Sequence, residues 1–171
     1  MTDWQDAEFR GERFTGQEIV GERLLDVTFY DCDLSAVQLV DVTMARAQFV
    51  RCRMSGLVAA NVKAIDVVFD DCKLDEANFR FSTWERATFT GCDLSTAEFC
   101  SARLATSRFE GCMLHGTDFD KASMTGTRLH GSRLDGVRGG EALRGVVIGS
   151  DQVLPLSMAV FGALEISIDD D

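Results

Sequence analysis

The chain has 171 residues, enough for one domain with a small appendage, and carries 28 acidic against 17 basic residues for a net charge of −11. That balance excludes a nucleic-acid binder working by bulk positive charge, and 46% hydrophobic residues exclude wholesale disorder. No apolar run approaches the ~18 residues of a membrane span, and the acidic start (Asp3, Asp6, Glu8, Glu12) lacks the marks of a secretory signal. A cytoplasmic location with six reduced cysteines is expected.

From Phe9 to Leu134 every fifth residue belongs to one frame of 26 positions, and all but Ala59 and Ala64 are large and apolar. Ten of the 12 Phe lie in it. The residue two before the large one is mostly small, such as Ala7, Cys32, Ala47, Ala77 or Ala97. Two residues after it stands Gly at ten positions, among them Gly11, Gly56 and Gly136. Polar residues fill the places between.

A period of five fits neither a helix nor a strand alternation. It requires a chain that bends every five residues and sends one large and one small side chain inward each time, with Gly suited to the tight bends. Cys32, Cys52, Cys72, Cys92 and Cys112 are 20 apart, as are Phe9, Phe29, Phe49, Phe69, Phe89 and Phe109. Like residues therefore return every four pentads. This predicts an all-β solenoid, a four-sided parallel β-helix of about 6.5 coils and about 31 Å, each coil burying its apolar face against the next. The domain division is 1–138 for the column and 139–171 for a C-terminal cap.

Gly139-Gly140 breaks the frame, and Leu143 to Ile148 reads as a short strand or final partial rung. A helix is expected from Ser150 or Asp151 to about Phe161, with Gly162 ending it. Leu164, Ile166 and Ile168 alternate with polar residues like a short strand. One face of the helix is expected to cover the open end of the column. Leu154, Met158, Phe161 and Leu164 are the candidate residues for this cap and for a dimer interface.

Chemistry-bearing residues are few. Stacked thiols lie in a line, whereas zinc needs ligands converging tetrahedrally, so the cysteines read as small core residues. Cys100 falls at an outward position and is the best candidate for a reactive thiol. His115 and His130 should face solvent. The frame supplies a filled rod and no pocket, so neither an enzyme nor a cofactor or metal site is expected.

Around Gly56 to Phe69 the inward residues shrink to Ala59 and Ala64, while Val58, Ile65 and Val68 fall at outward positions. Val20, Leu25, Tyr30, Val40 and Val50 also read as outward. Either an exposed apolar patch or a distorted rung that turns Ile65 inward accounts for this.

Ala77-Asn78-Phe79, Cys92-Asp93-Leu94, Ala97-Glu98-Phe99 and Thr117-Asp118-Phe119 resemble the A-(D/N)-L-x-x motif of the pentapeptide-repeat family. The resemblance covers residues 7 to 138 and implies a right-handed quadrilateral β-helix. The opening Trp4-Gln5-Asp6-Ala7-Glu8-Phe9-Arg10-Gly11, the size and the acidity are similar to the MfpA and Qnr type of member. That type implies DNA mimicry, binding to DNA gyrase or another type II topoisomerase, lowered quinolone sensitivity, and a homodimer joined through the C-terminal segment. The unbroken frame departs from those Qnr proteins that carry protruding loops.

Charge tests this implication. A duplex carries one negative charge per roughly 1.7 Å of axis, and no side of the column approaches that density. Acidity gathers at the ends: residues 1–50 carry −6, residues 51–138 carry 0 and residues 139–171 carry −5. The best acidic stripe is Glu18, Asp41, Glu98, Asp118 and Asp120, the candidate partner-binding set. Two functional expectations stand: a gyrase-binding DNA mimic without direct nucleic-acid or membrane contact, or an interaction scaffold for another partner.

Overall fold

In the computed structural model, which describes residues 4–169, the pentad frame becomes twelve three-residue strands. They are β1 (Glu8–Arg10), β2 (Glu18–Val20), β3 (Arg23–Leu25), β4 (Thr28–Tyr30), β5 (Gln38–Val40), β6 (Thr43–Ala45), β7 (Gln48–Val50), β8 (Lys63–Ile65), β9 (Val68–Asp70), β10 (Thr83–Glu85), β11 (Thr88–Thr90) and β12 (Arg108–Glu110). Every strand pair is parallel and joins residues 20 apart. One side stacks β1-β4-β7-β9-β11-β12, a second β3-β6-β8-β10 and a third β2-β5. The fourth side is joined by single bridge pairs from Arg13 through Asp33, Arg53, Lys73, Asp93 and Met113 to Arg133. The strand-paired stack makes about five turns between β1 and β12, fewer than the 6.5 expected. Single bridges carry it on through Arg128 to Val147.

Each coil turns at four corners two residues after the large inward side chain. All these corners from Asp6 to Gly136 have φ in the left-handed region, ten at Gly and seventeen at other residues. The bend thus belongs to the repeat, and Gly only relieves its cost, about 1–2 kcal/mol for a residue with a Cβ. Asp and Asn occupy seven of the seventeen, in keeping with their tolerance of this conformation.

The axis is filled by rings. Phe29, Phe49, Phe69, Phe89 and Phe109 stack nearly parallel with centroids 4.7–4.9 Å apart. Phe79, Phe99 and Phe119 form a second stack that meets the first edge-on, as in Phe99 against Phe109 at 89°. The ring spacing equals the spacing of hydrogen-bonded strands, so packing and backbone pairing favour one register.

No rung is distorted at Gly56–Phe69. Ala59 and Ala64 stay buried, Ala64 pairs with Met44 and Trp84, and Ile65 lies on the outer face of β8 half-buried. The missing volume is made up by the next coil. The Trp84 indole packs 5.8 Å from Phe69 and 5.4 Å from Phe79, and its Nε1–H donates to the buried Ser82 hydroxyl at 2.6 Å.

The cysteines form a ladder. The thiols of Cys32, Cys52, Cys72, Cys92 and Cys112 each donate to the carbonyl of Phe9, Phe29, Phe49, Phe69 and Phe89 respectively, at 3.2–3.5 Å. Ser132 Oγ continues the series to the Phe109 carbonyl at 2.9 Å, and Gln152 Nε2 ends it on the Leu129 carbonyl at 2.6 Å. Gln152 is buried, belongs to the cap, and stands 20 residues after Ser132. The periodic line of donors therefore runs into the C-terminal segment and fastens it.

In that segment Leu143–Ile148 takes the second of its two expected forms, a partial rung: a 3-10 turn at Gly140–Leu143 precedes Val147, which bridges Arg128 one residue short of the 20-residue step. The rest departs from expectation. The helix α1 runs Val153–Ala163 after a 3-10 turn at Ser150–Gln152. Its approach is held by the Gly149 N–H donating to Gln152 Oε1 at 2.8 Å, so neither Ser150 nor Asp151 caps it through a side chain. Gly162 lies inside α1, and Glu165, with φ 55°, makes the turn after it. Leu164, Ile166 and Ile168 form no strand and are exposed, because no edge pairs with them.

Gly139 and Gly140 have a packing reason. A Cβ at Gly139 would overlap the Asp120 backbone, and one at Gly140 would overlap the Ala159 carbonyl of α1. The double glycine is where the helix rests on the last coil.

Two stability outcomes follow. Phe89→Ala should cost roughly 3–5 kcal/mol in urea unfolding, since its ring is stacked on both faces. Gly140→Ala should lift α1 and cost about 1–3 kcal/mol, whereas Gly126→Ala, with open space around it, should cost about 1 kcal/mol from its corner conformation alone.

Candidate interaction surfaces

With the axis filled, chemistry is left to the outer rows. On the Ile19 side Glu18, Gln38, Val58, Asn78, Glu98, Asp118 and Arg138 stack at successive levels. Glu18 and Glu98 are four coils apart, about 19 Å, with uncharged residues between. The structure therefore does not assemble the five acidic candidates into one stripe.

Most of them are also paired. Glu98 meets Arg80 at 3.4 Å, Asp118 meets Arg138 at 3.3 Å and Asp120 meets Lys121 at 3.7 Å. Glu18 and Asp41 make no ion pair with a described residue. Elsewhere Arg46, Arg51 and Arg86 each grip the carboxylate one coil below, on Asp26, Asp31 and Asp66, with two hydrogen bonds of 2.6–2.9 Å. The guanidinium hydrogen bonds hold these three carboxyls below their usual range. The repeat thus lets acids and bases of neighbouring coils neutralise each other.

The α1 candidates divide from the packing face. Buried Gln152 and Leu156, with half-buried Ala159 and Val160, turn toward the column. Leu154, Met158 and Leu164 are 76%, 61% and 61% exposed, and Phe161 is half-buried. They are not the cap's inner face. They form an apolar outer surface, joined by exposed Val153, Ile166 and Ile168.

Cys100 sits among Arg80, Asp118 and Arg138 in a shallow polar depression. Burial and the Asp118 charge push its thiol up, against a lowering contact from Arg80. It is not the activated thiol that its outward position suggested. Burial also pushes up the Cys32 thiol, and at Cys52 and Cys92 the adjoining sulfurs do so together with burial. His115 and His130 are exposed. Among the described residues no three His, Cys, Asp or Glu side chains converge as a metal set, and no helix is long and apolar enough to cross a membrane.

The Pentapeptide repeat region family model matches residues 62–138, within a frame that continues unbroken on its N-terminal side to Phe9. Residues 62–138 are a pentapeptide-repeat region. Among solved structures, a trypsin-treated variant of QnrB1, a plasmid-mediated fluoroquinolone resistance protein, is 19% identical. The match covers 96% of this chain and 98% of that one with a TM-score of 0.50. A pentapeptide repeat protein from the Arabidopsis thaliana thylakoid lumen is 21% identical over 64% of this chain and 74% of that one, with a TM-score of 0.52. At these identities the likeness is one of fold. No curated protein matches the chain by sequence.

Thiol labelling checks the ladder. In the native protein at pH 8 only Cys100 should react with iodoacetamide, more slowly than a free cysteine because its thiolate form is disfavoured, and faster as pH rises. All six cysteines should react in denaturant. Labelling of Cys72 at a rate like that of Cys100 would contradict the buried ladder.

Proposed function

We propose that this chain is a non-enzymatic binding protein of the cytoplasm that acts on DNA gyrase or another type II topoisomerase. It competes with duplex DNA for the basic DNA-binding surface and lowers the enzyme's sensitivity to quinolones. The observation that carries this reading is the C-terminal end. There an apolar surface on α1 stands clear of the column inside a segment of net charge −5, from six acids against Arg144. Pairing two copies through Leu154, Met158, Phe161 and Leu164 gives an elongated homodimer with two acidic segments brought together at its centre. Such a concentration of charge is what steers a basic surface. Likeness of fold to QnrB1 along the whole chain supports it.

The paired carboxylates favour a second reading. With Glu98, Asp118 and Asp120 each beside a cation, the rod is a scaffold for a partner other than a topoisomerase.

A gyrase supercoiling assay separates the two. Under the first reading the protein inhibits supercoiling, inhibition weakens as salt rises, and reversing Asp118 and Asp120 to Lys weakens it several-fold. No inhibition at tens of micromolar protein leaves only the scaffold. Sedimentation tests the dimer independently: Leu154→Glu with Met158→Glu should halve the mass, and a wild-type monomer at high concentration would remove the dimer from the proposal.

A further inference from the structure

The Leu24 side carries a shallow, open groove of about 800 Å³ that neither surface above includes. Two rows of side chains run along it. One row reads Arg23, Thr43, Lys63, Thr83, Arg103 at successive levels. The other reads Leu25, Ala45, Ile65, ending at Glu85. The first row is exposed and the three apolar residues are half-buried. In a chain of net charge −11, Arg23, Lys63 and Arg103 make no ion pair with a described residue. Glu22 and Asp41 line the rim before the cation row, but no acidic side chain lines the groove at the level of Lys63.

The spacing selects a ligand shape. Cations on alternate coils stand two coil steps apart, about 10 Å. Side chains on one face of an extended strand recur at about 6.6 Å, which does not match. Phosphates along one strand of a duplex step by about 3.4 Å of axis, and the third one, about 10 Å on, has turned roughly 100° around the helix and away from the row. A polyproline-II helix has three residues per turn and rises about 3.1 Å per residue. Every third side chain therefore returns to the same side after about 9.3 Å.

We propose that this groove binds a partner-protein segment in the polyproline-II conformation, with an acidic residue at every third position and an apolar residue between. Its carboxylates meet Arg23, Lys63 and Arg103. Its apolar side chains lie on Leu25, Ala45 and Ile65. Its unpaired backbone carbonyls accept from the Thr43 and Thr83 hydroxyls, since a polyproline-II backbone makes no internal hydrogen bonds. Glu85, paired with Arg86, closes the apolar row and ends the apolar contact there. The inference does not depend on the topoisomerase reading.

Fluorescence anisotropy with a labelled peptide of five Glu-Pro-Val repeats tests it on the full chain. Binding should weaken with salt. Lys63→Glu should reduce affinity at least tenfold and Lys63→Gln less, while Arg53→Glu on the opposite Phe14 side should leave it unchanged, with melting temperatures compared for each. Equal binding by Lys63→Glu would overturn the proposal. So would equal binding of a Glu-Val alternating peptide of the same length, or of an oligothymidylate.

Discussion

The structure depends on one coincidence of lengths. Parallel strands joined by hydrogen bonds stand about 4.8 Å apart, and the stacked rings of Phe29, Phe49, Phe69, Phe89 and Phe109 stand 4.7–4.9 Å apart. Backbone pairing and side-chain packing therefore reach their optimum in the same arrangement. A slip of one residue would turn an inward ring toward water at every level of a side. The pairing holds register from β1 to β12, even where Ala59 and Ala64 leave room, because Trp84 in the next coil fills it.

The price of this regularity is paid at the corners. Every bend takes the left-handed conformation, at seventeen residues that carry a Cβ. A strained corner is tolerable because most corners donate a backbone hydrogen bond to the next coil, such as Arg46 N to the Ile65 carbonyl and Asp66 N to the Glu85 carbonyl. The same logic explains the C-terminal end. An open stack of strand edges invites pairing with other chains. The final coil is closed by Gln152 taking the next place in the thiol ladder and by α1 resting on Gly140.

A filled axis has consequences for function. Binding must use the outer rows, and the coil repeat places each outer residue directly beside those 20 positions away. Charges there cancel or reinforce by register. Arg46 over Asp26, Arg51 over Asp31 and Arg86 over Asp66 cancel. Arg23, Lys63 and Arg103 escape because threonines lie between them and the half-buried Leu25, Ala45 and Ile65 flank them. The fold itself is shared by proteins of different roles, so what distinguishes this one is the register of those rows and the apolar face of α1.

The amino-acid pattern by itself determined the four-sided column, its inward residues and the stacking of like side chains. Period-five spacing and the return of Cys and Phe every 20 residues admit little else. The outward rows could be read as well, since an outer residue is simply a neighbour of an inner one. Tertiary structure decided matters that depend on contact between levels. Glu98, Asp118 and Asp120 read as an acidic stripe, but Arg80 and Arg138 reach across from adjacent coils to Glu98 and Asp118, and the neighbouring Lys121 pairs with Asp120. Ile65 read equally as inward or outward, and the bulk of Trp84 settled it. The Ser132 to Gln152 step of 20 was present in the chain, but its meaning needed the cap to be seen turning back on the column. The periodic code ends at Arg138; beyond it the helix could be read from the chain, but its bounds and its seat against Gly140 and Leu143 come from packing.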